Sequence, residues 1–88
     1  MAHDFHISRH AKEEMARRGI SLEKVELVLQ NPEQVIDATN DNAAYQSLID
    51  FGGGRYFLVR VIMDESRVPP VVVTVYRTSK IEKYWRQS

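Results

Sequence analysis

Eighty-eight residues with a mass of 10.2 kDa hold one small domain and exclude a separate cofactor lobe, since domains run about 50–250 residues. Hydrophobic residues at 43% and charged residues at 27%, with only 4 Gly and 3 Pro, exclude disorder and predict a thin core. Twelve Lys+Arg against twelve Asp+Glu argues against a nucleic-acid binder held by bulk charge, and the absence of cysteine removes disulfides, thiolate catalysis and Cys-ligated zinc together.

Ser8 to Arg18 reads as a helix: Ser8 is a natural N-cap, Ala11 and Met15 share a face, and Gly19 stands where a left-handed C-terminal residue is wanted. Ser21 caps a second helix in which Leu22, Val25, Val28 and Leu29 recur at helical spacing, and Asn31-Pro32 stops it. The period then shortens. Gln34 to Thr39 is a short strand, Asn40-Asp41-Asn42 a turn, Ala44 to Phe51 a strand, and Gly52-Gly53-Gly54 a second turn. Arg55 to Met63 alternates as a strand, Asp64 to Pro70 is a longer loop, and Val71 to Arg77 is a β-branched last strand. Ser79-Lys80-Ile81-Glu82 has the form of a capping box, which predicts a short helical tail.

The expected fold is α+β: two N-terminal helices packed on one face of a four-stranded antiparallel sheet, with the helical tail following and an optional short strand at Asp4 to Ile7. If the helices cover Phe57, Val59, Val61 and Met63, then Val71, Val73 and Val75 join them. The opposite face then carries Tyr56, Arg60, Thr74 and Tyr76, an arginine among hydroxyl-bearing side chains.

Several chemistries are absent from the sequence: there is no phosphate-binding Gly-x-x-x-x-Gly-Lys loop, no Gly-x-Ser-x-Gly elbow and no His-Glu-x-x-His helix. His3, His6 and His10 have a spacing a metal tolerates, but no fourth ligand stands nearby, so neither a metal nor another cofactor is expected. His10 falls in the first turn of helix 1, where the dipole favours a neutral ring able to take a proton; an ordinary solvated histidine fits the position as well.

Metal-free RNA cleavage needs a base for the 2′-hydroxyl, cations around the phosphate and aromatic rings for splayed bases. His10 as general base or acid, Arg60 and Arg77 on the phosphate, Lys80 assisting and Tyr76 positioning the substrate supply those parts, with Arg18, Lys83 and Tyr84 as further nucleic-acid contacts. Each residue also has a plain structural role: Arg17 and Arg18 complement a helix C-terminus, Lys80, Lys83 and Arg86 suit a solvated helix face, and Tyr84 and Trp85 suit a core.

The stretch His10-Ala11-Lys12-Glu13-Glu14-Met15-Ala16-Arg17-Arg18-Gly19-Ile20, with Val25, Val28-Leu29 and Asn31-Pro32 after it, resembles the opening of a family of small bacterial domains of unknown function, number 4258. Val73-Thr74-Val75-Tyr76 and Lys83-Tyr84-Trp85 resemble that family's last strand and tail. The family is similar in element order to the RelE-like and BrnT-like toxins, ribonucleases of toxin–antitoxin pairs with a basic, metal-independent site on an open sheet face. The resemblance implies a toxin-like RNA-binding protein with metal-independent endoribonuclease activity, and carries over His10, Arg18 and Tyr76 by position. Glu14 departs from the arginine that members commonly have before the motif's Met, which keeps a non-catalytic protein-binding or regulatory module as the alternative. The partners so implied are RNA and a cognate antitoxin or other protein, with the chain a monomer or homodimer. No apolar run approaches the roughly 20 residues of a membrane span and MAHDFHISRH has no apolar centre, so a cytoplasmic location is expected.

The zero net charge conceals a split. Residues 1–20 hold four basic and three acidic side chains, residues 21–54 one and six, and residues 55–88 seven and three, giving +1, −5 and +4. Folding decides whether these blocks separate in space.

Overall fold

The computed structural model describes residues 4–87. Strand β1 (His6–Ile7) leads into α1 (Arg9–Arg18) and α2 (Leu22–Gln30), followed by β2 (Gln34–Asp37), β3 (Asn42–Asp50), β4 (Tyr56–Asp64), β5 (Val71–Thr78) and the single turn α3 (Ile81–Tyr84).

The helix ends follow their local chemistry. The Ser8 hydroxyl accepts from the Ala11 amide at 3.0 Å and donates to the Val73 carbonyl at 3.2 Å, so one side chain starts α1 and ties it to β5. Gly19 sits at φ 67, and the Ile20 amide returns to the Met15 carbonyl at 2.9 Å, closing the helix in the left-handed C-cap geometry. Ser21 caps α2 by accepting from the Lys24 amide.

The expected four-stranded antiparallel sheet is corrected by the structure, which has a five-stranded mixed sheet in the order β1-β5-β4-β3-β2, with three helices. The fifth strand is β1, which pairs parallel to β5 with His6 opposite Val71 and Ile7 opposite Val72. The optional strand at Asp4 to Ile7 forms over His6–Ile7 alone, where the His6 and Ser8 amides find the Pro70 and Val72 carbonyls at 2.8 and 3.0 Å. The other pairs are antiparallel.

A β-bulge makes a second correction. Ile62 pairs with Thr74 but Met63 with Val72, leaving Val73 as the extra residue. The strand therefore presents Val72 and Val75 to the helices, in place of Val71, Val73 and Val75. Those two valines pack with Ala11, Met15, Ile20, Val25, Val28, Val59, Val61 and Met63 in a buried core between helices and sheet. α1 lies on β5, and α2 on β3 and β4. The tail does form, but its cap is not the expected one: Lys80 holds the N-cap position with no side-chain cap bond, and the Thr78 hydroxyl accepts from the Lys80 amide at 3.0 Å.

Candidate functional site

Pairing carries four polar residues into one row across the face away from α1 and α2. Gln34 on β2 lies opposite Gln46 on β3, Gln46 opposite Arg60 on β4, and Arg60 opposite Tyr76 on β5. Paired residues share a face, so these four side chains stand together while Val59 and Val61 point to the helices.

Arg60 is the centre of the row. Its Nε donates to Gln46 Oε1 at 2.7 Å and its Nη1 donates to the Tyr76 hydroxyl. The tail covers it: the Tyr84 ring centroid is 4.5 Å from the guanidinium carbon and that of Tyr76 is 5.6 Å away, and the two rings meet edge to face. Gln46, fully buried, donates through Nε2 to Gln34 Oε1 at 2.8 Å and to the Tyr84 carbonyl at 3.2 Å. Gln34 donates to the Arg86 carbonyl at 2.7 Å and accepts from the Arg86 amide at 3.0 Å, so the tail is clamped by two glutamines.

The electrostatics of this arrangement are unusual. Arg60 is 8% exposed, yet the ion pairs among the described residues are Arg9 with Glu13 and Arg17 and Arg18 with Glu14. An amide oxygen, a phenol and two ring faces stand where a buried cation ordinarily finds a carboxylate. Nη2 has no hydrogen-bond partner among the described residues, and no buried side-chain nitrogen or oxygen there goes unpaired, so this nitrogen reaches solvent. A guanidinium with a free donor and, among the described residues, no counter-ion is suited to receive an oxyanion by charge-assisted hydrogen bonds.

The other sequence-predicted residues fall elsewhere. Lys80 and Lys83 are exposed on the tail, with the Lys83 ammonium 5.4 Å from the Tyr84 ring. His10 is exposed on α1, on the helix side of the sheet and across it from Arg60. Arg18 Nε is held by Glu14 Oε1 at 2.9 Å and Arg17 by the other carboxylate oxygen, so Glu14, 5% exposed, serves two arginines of its own helix.

Arg77 follows Tyr76 and so points to the helix side, where it stacks 4.4 Å from the Phe51 ring and 4.6 Å from Phe57. Lys24 at 5.1 Å from Phe51 and Arg55 at 5.9 Å from Phe57 join it around an edge-to-face ring pair. The structure therefore gathers Arg60, Tyr76 and Tyr84, with Lys83 beside them, and separates them from His10, Arg18 and Arg77. Of the three histidines, His3 lies outside the described residues, and among the described residues no three His, Cys, Asp or Glu side chains stand together as a metal site.

Gln34 and Gln46 are the site residues that sequence reasoning missed. A signal existed: pairing outward from Gly53 in the glycine turn brings Gln46 opposite Arg60.

The family model described as Domain of unknown function (DUF4258) matches residues 7–77. The chain belongs to that family. No curated protein and no solved structure matches it. The match spans the DUF4258 domain from β1 to β5 and ends before the tail, so Tyr84, Lys80 and Lys83 lie beyond it. No helix among the described residues is long and apolar enough to cross a membrane.

Proposed function

We propose that this DUF4258 domain binds RNA through its phosphate backbone, with Arg60 as the central anion-binding group and Lys80 and Lys83 as exposed flanking cations. The observation that carries the reading is Arg60, nine-tenths buried with only neutral partners among the described residues and one nitrogen open to solvent. A phosphate oxygen would supply the charge this site lacks, in surroundings where such a bond is stronger than in water. Tyr76 and Tyr84 add aromatic surface of the kind that tolerates any base. RNA is the polyanion implied by the resemblance to the RelE-like and BrnT-like toxins.

Cleavage by the His10 and Arg60 pair is not part of this reading. Metal-independent cleavage needs the base within hydrogen-bond reach of the 2′-hydroxyl while cations hold the adjacent phosphate. His10 stands on the helix side and Arg60 on the tail side. A toxin-like RNA-binding protein without that reaction fits both placements. The second reading, a protein-binding module, is favoured by Glu14, because two arginines of the family motif are committed to a buried carboxylate.

The test is titration of a fluorescent single-stranded RNA into wild type, Arg60→Gln and the Lys80→Ala/Lys83→Ala double variant, with melting curves alongside. Loss of the Arg60 charge should weaken binding about tenfold or more, the range of a hydrogen bond to a charged group. The double variant changes exposed side chains and should weaken binding with no change in melting. Equal affinity of all three proteins would overturn the proposal. Incubated with RNA, wild type and His10→Ala should leave it equally intact; cleavage by wild type that His10→Ala abolishes would restore the catalytic reading.

A further inference from the structure

A groove of about 670 Å³ opens between the amino-terminal segment, the end of α2 and the 64–70 loop. It lies on the helix side of the sheet, across from the tail, where Met63 at the close of β4 and Pro70 before β5 form part of its wall. Phe5, Leu29, Met63, Val68, Pro69 and Pro70 make the lining mainly apolar. Val68 is 98% exposed, an aliphatic side chain held in water at the groove's mouth.

The polar part of the lining has one sign. Asp4, Glu26 and Glu65 bring three carboxylates and no lysine or arginine lines the groove. Arg67, the cation of the adjoining loop, is not part of the lining. Tyr45 donates its hydroxyl to Glu65, which holds that carboxylate against the groove wall.

We infer that this groove docks a peptide segment of a partner protein in which a lysine or arginine side chain stands next to an aliphatic or aromatic one. The apolar lining takes the apolar side chain, and the carboxylates take the cation, as charge complementarity and burial require together. The volume is in the range of sites that enclose a small ligand or a few side chains. The same carboxylates repel phosphate, so this is not a second RNA site. The chain's own basic tail is not the occupant, because Ile81, Tyr84 and Trp85 are half-buried on its own sheet. Docking here is independent of the RNA reading, since it involves neither Arg60 nor the tail.

Selection of a random peptide display library on the full chain tests the inference. Enriched sequences should pair Lys or Arg with an apolar neighbour, and the best synthetic peptide should shift the amide resonances of Phe5, Leu29 and Met63. Glu26→Lys/Glu65→Lys should weaken that peptide at least tenfold. Val68→Lys, at an exposed position that leaves the core untouched, should weaken it as well with unchanged melting. The inference fails if no basic-apolar sequences are enriched, if the shifts fall outside the groove, or if the charge variants bind as tightly as wild type. A peptide that binds the groove through acidic side chains would also overturn it.

Discussion

At the residue scale, Gln46 sets the character of Arg60. It offers an uncharged oxygen to Nε and spends its two amide protons on Gln34 and the Tyr84 carbonyl, so the guanidinium is oriented without being neutralised. Gln46→Leu should remove these bonds, leave Arg60 Nε unsatisfied and cost about 1–3 kcal/mol in urea unfolding, with the tail released. Smaller loss, with the tail's Trp85 fluorescence unchanged, would show that the glutamine is dispensable.

Tyr45 gives a pH prediction at the same scale. Its hydrogen bond to Glu65, burial, and the adjacent negative charge push its hydroxyl up to about 12. The folded form thus holds the proton more tightly than the unfolded chain, whose phenol titrates near 10. The stabilisation is complete below about pH 10 and is lost as pH rises toward 12. Ultraviolet difference titration of wild type against Tyr45→Phe should show Tyr45 ionising late, and Glu65→Gln should return it toward 10. A Tyr45 that ionises near 10 in the wild type would contradict the contact.

At the scale of elements, what was legible in the sequence is what local chemistry decides. Ser8, Gly19 and Ser21 bound the two helices by bonds that reach no farther than a few residues, and each cap stands where its residue type suggests. Gly19→Ala, at φ 67, should cost about 1 kcal/mol by thermal or urea unfolding, whereas no loss would mean the turn has another conformation in solution.

What was not legible depends on distant partners. A short strand before α1 was an option in the sequence, but its parallel pairing is set by carbonyls more than sixty residues away, and the bulge at Val73 is hidden in a strand that is β-branched almost throughout. The tail's place on the sheet rests on side-chain amides of Gln34 and Gln46, and the expected Ser79 cap is left unused. The same non-locality split the candidate site: Arg60 and Arg77 look alike in sequence, but a pleat's alternation puts them on opposite faces.

At the scale of the whole molecule, the zero net charge resolves into two ends. Arg55, Arg77, Lys80 and Lys83 stand where β4 begins and β5 ends, with Arg60 at the middle of β4, while Asp4, Glu26 and Glu65 surround the groove where β4 ends and β5 begins. From Arg60 to Asp64 the strand runs about 13 Å at roughly 3.3 Å per residue, just beyond the screening length of about 8–10 Å at moderate salt. A polyanion at Arg60 is therefore largely screened from the acidic end, and zero net charge is compatible with the RNA binding proposed here.

That claim is tested most directly by the salt dependence of RNA binding. The affinity of wild type for a single-stranded RNA should fall linearly with the logarithm of salt concentration, and Lys80→Ala/Lys83→Ala should lower the slope by about 1.4, or 0.7 for each lost phosphate contact. A wild-type response that stays flat across the salt series would contradict the account.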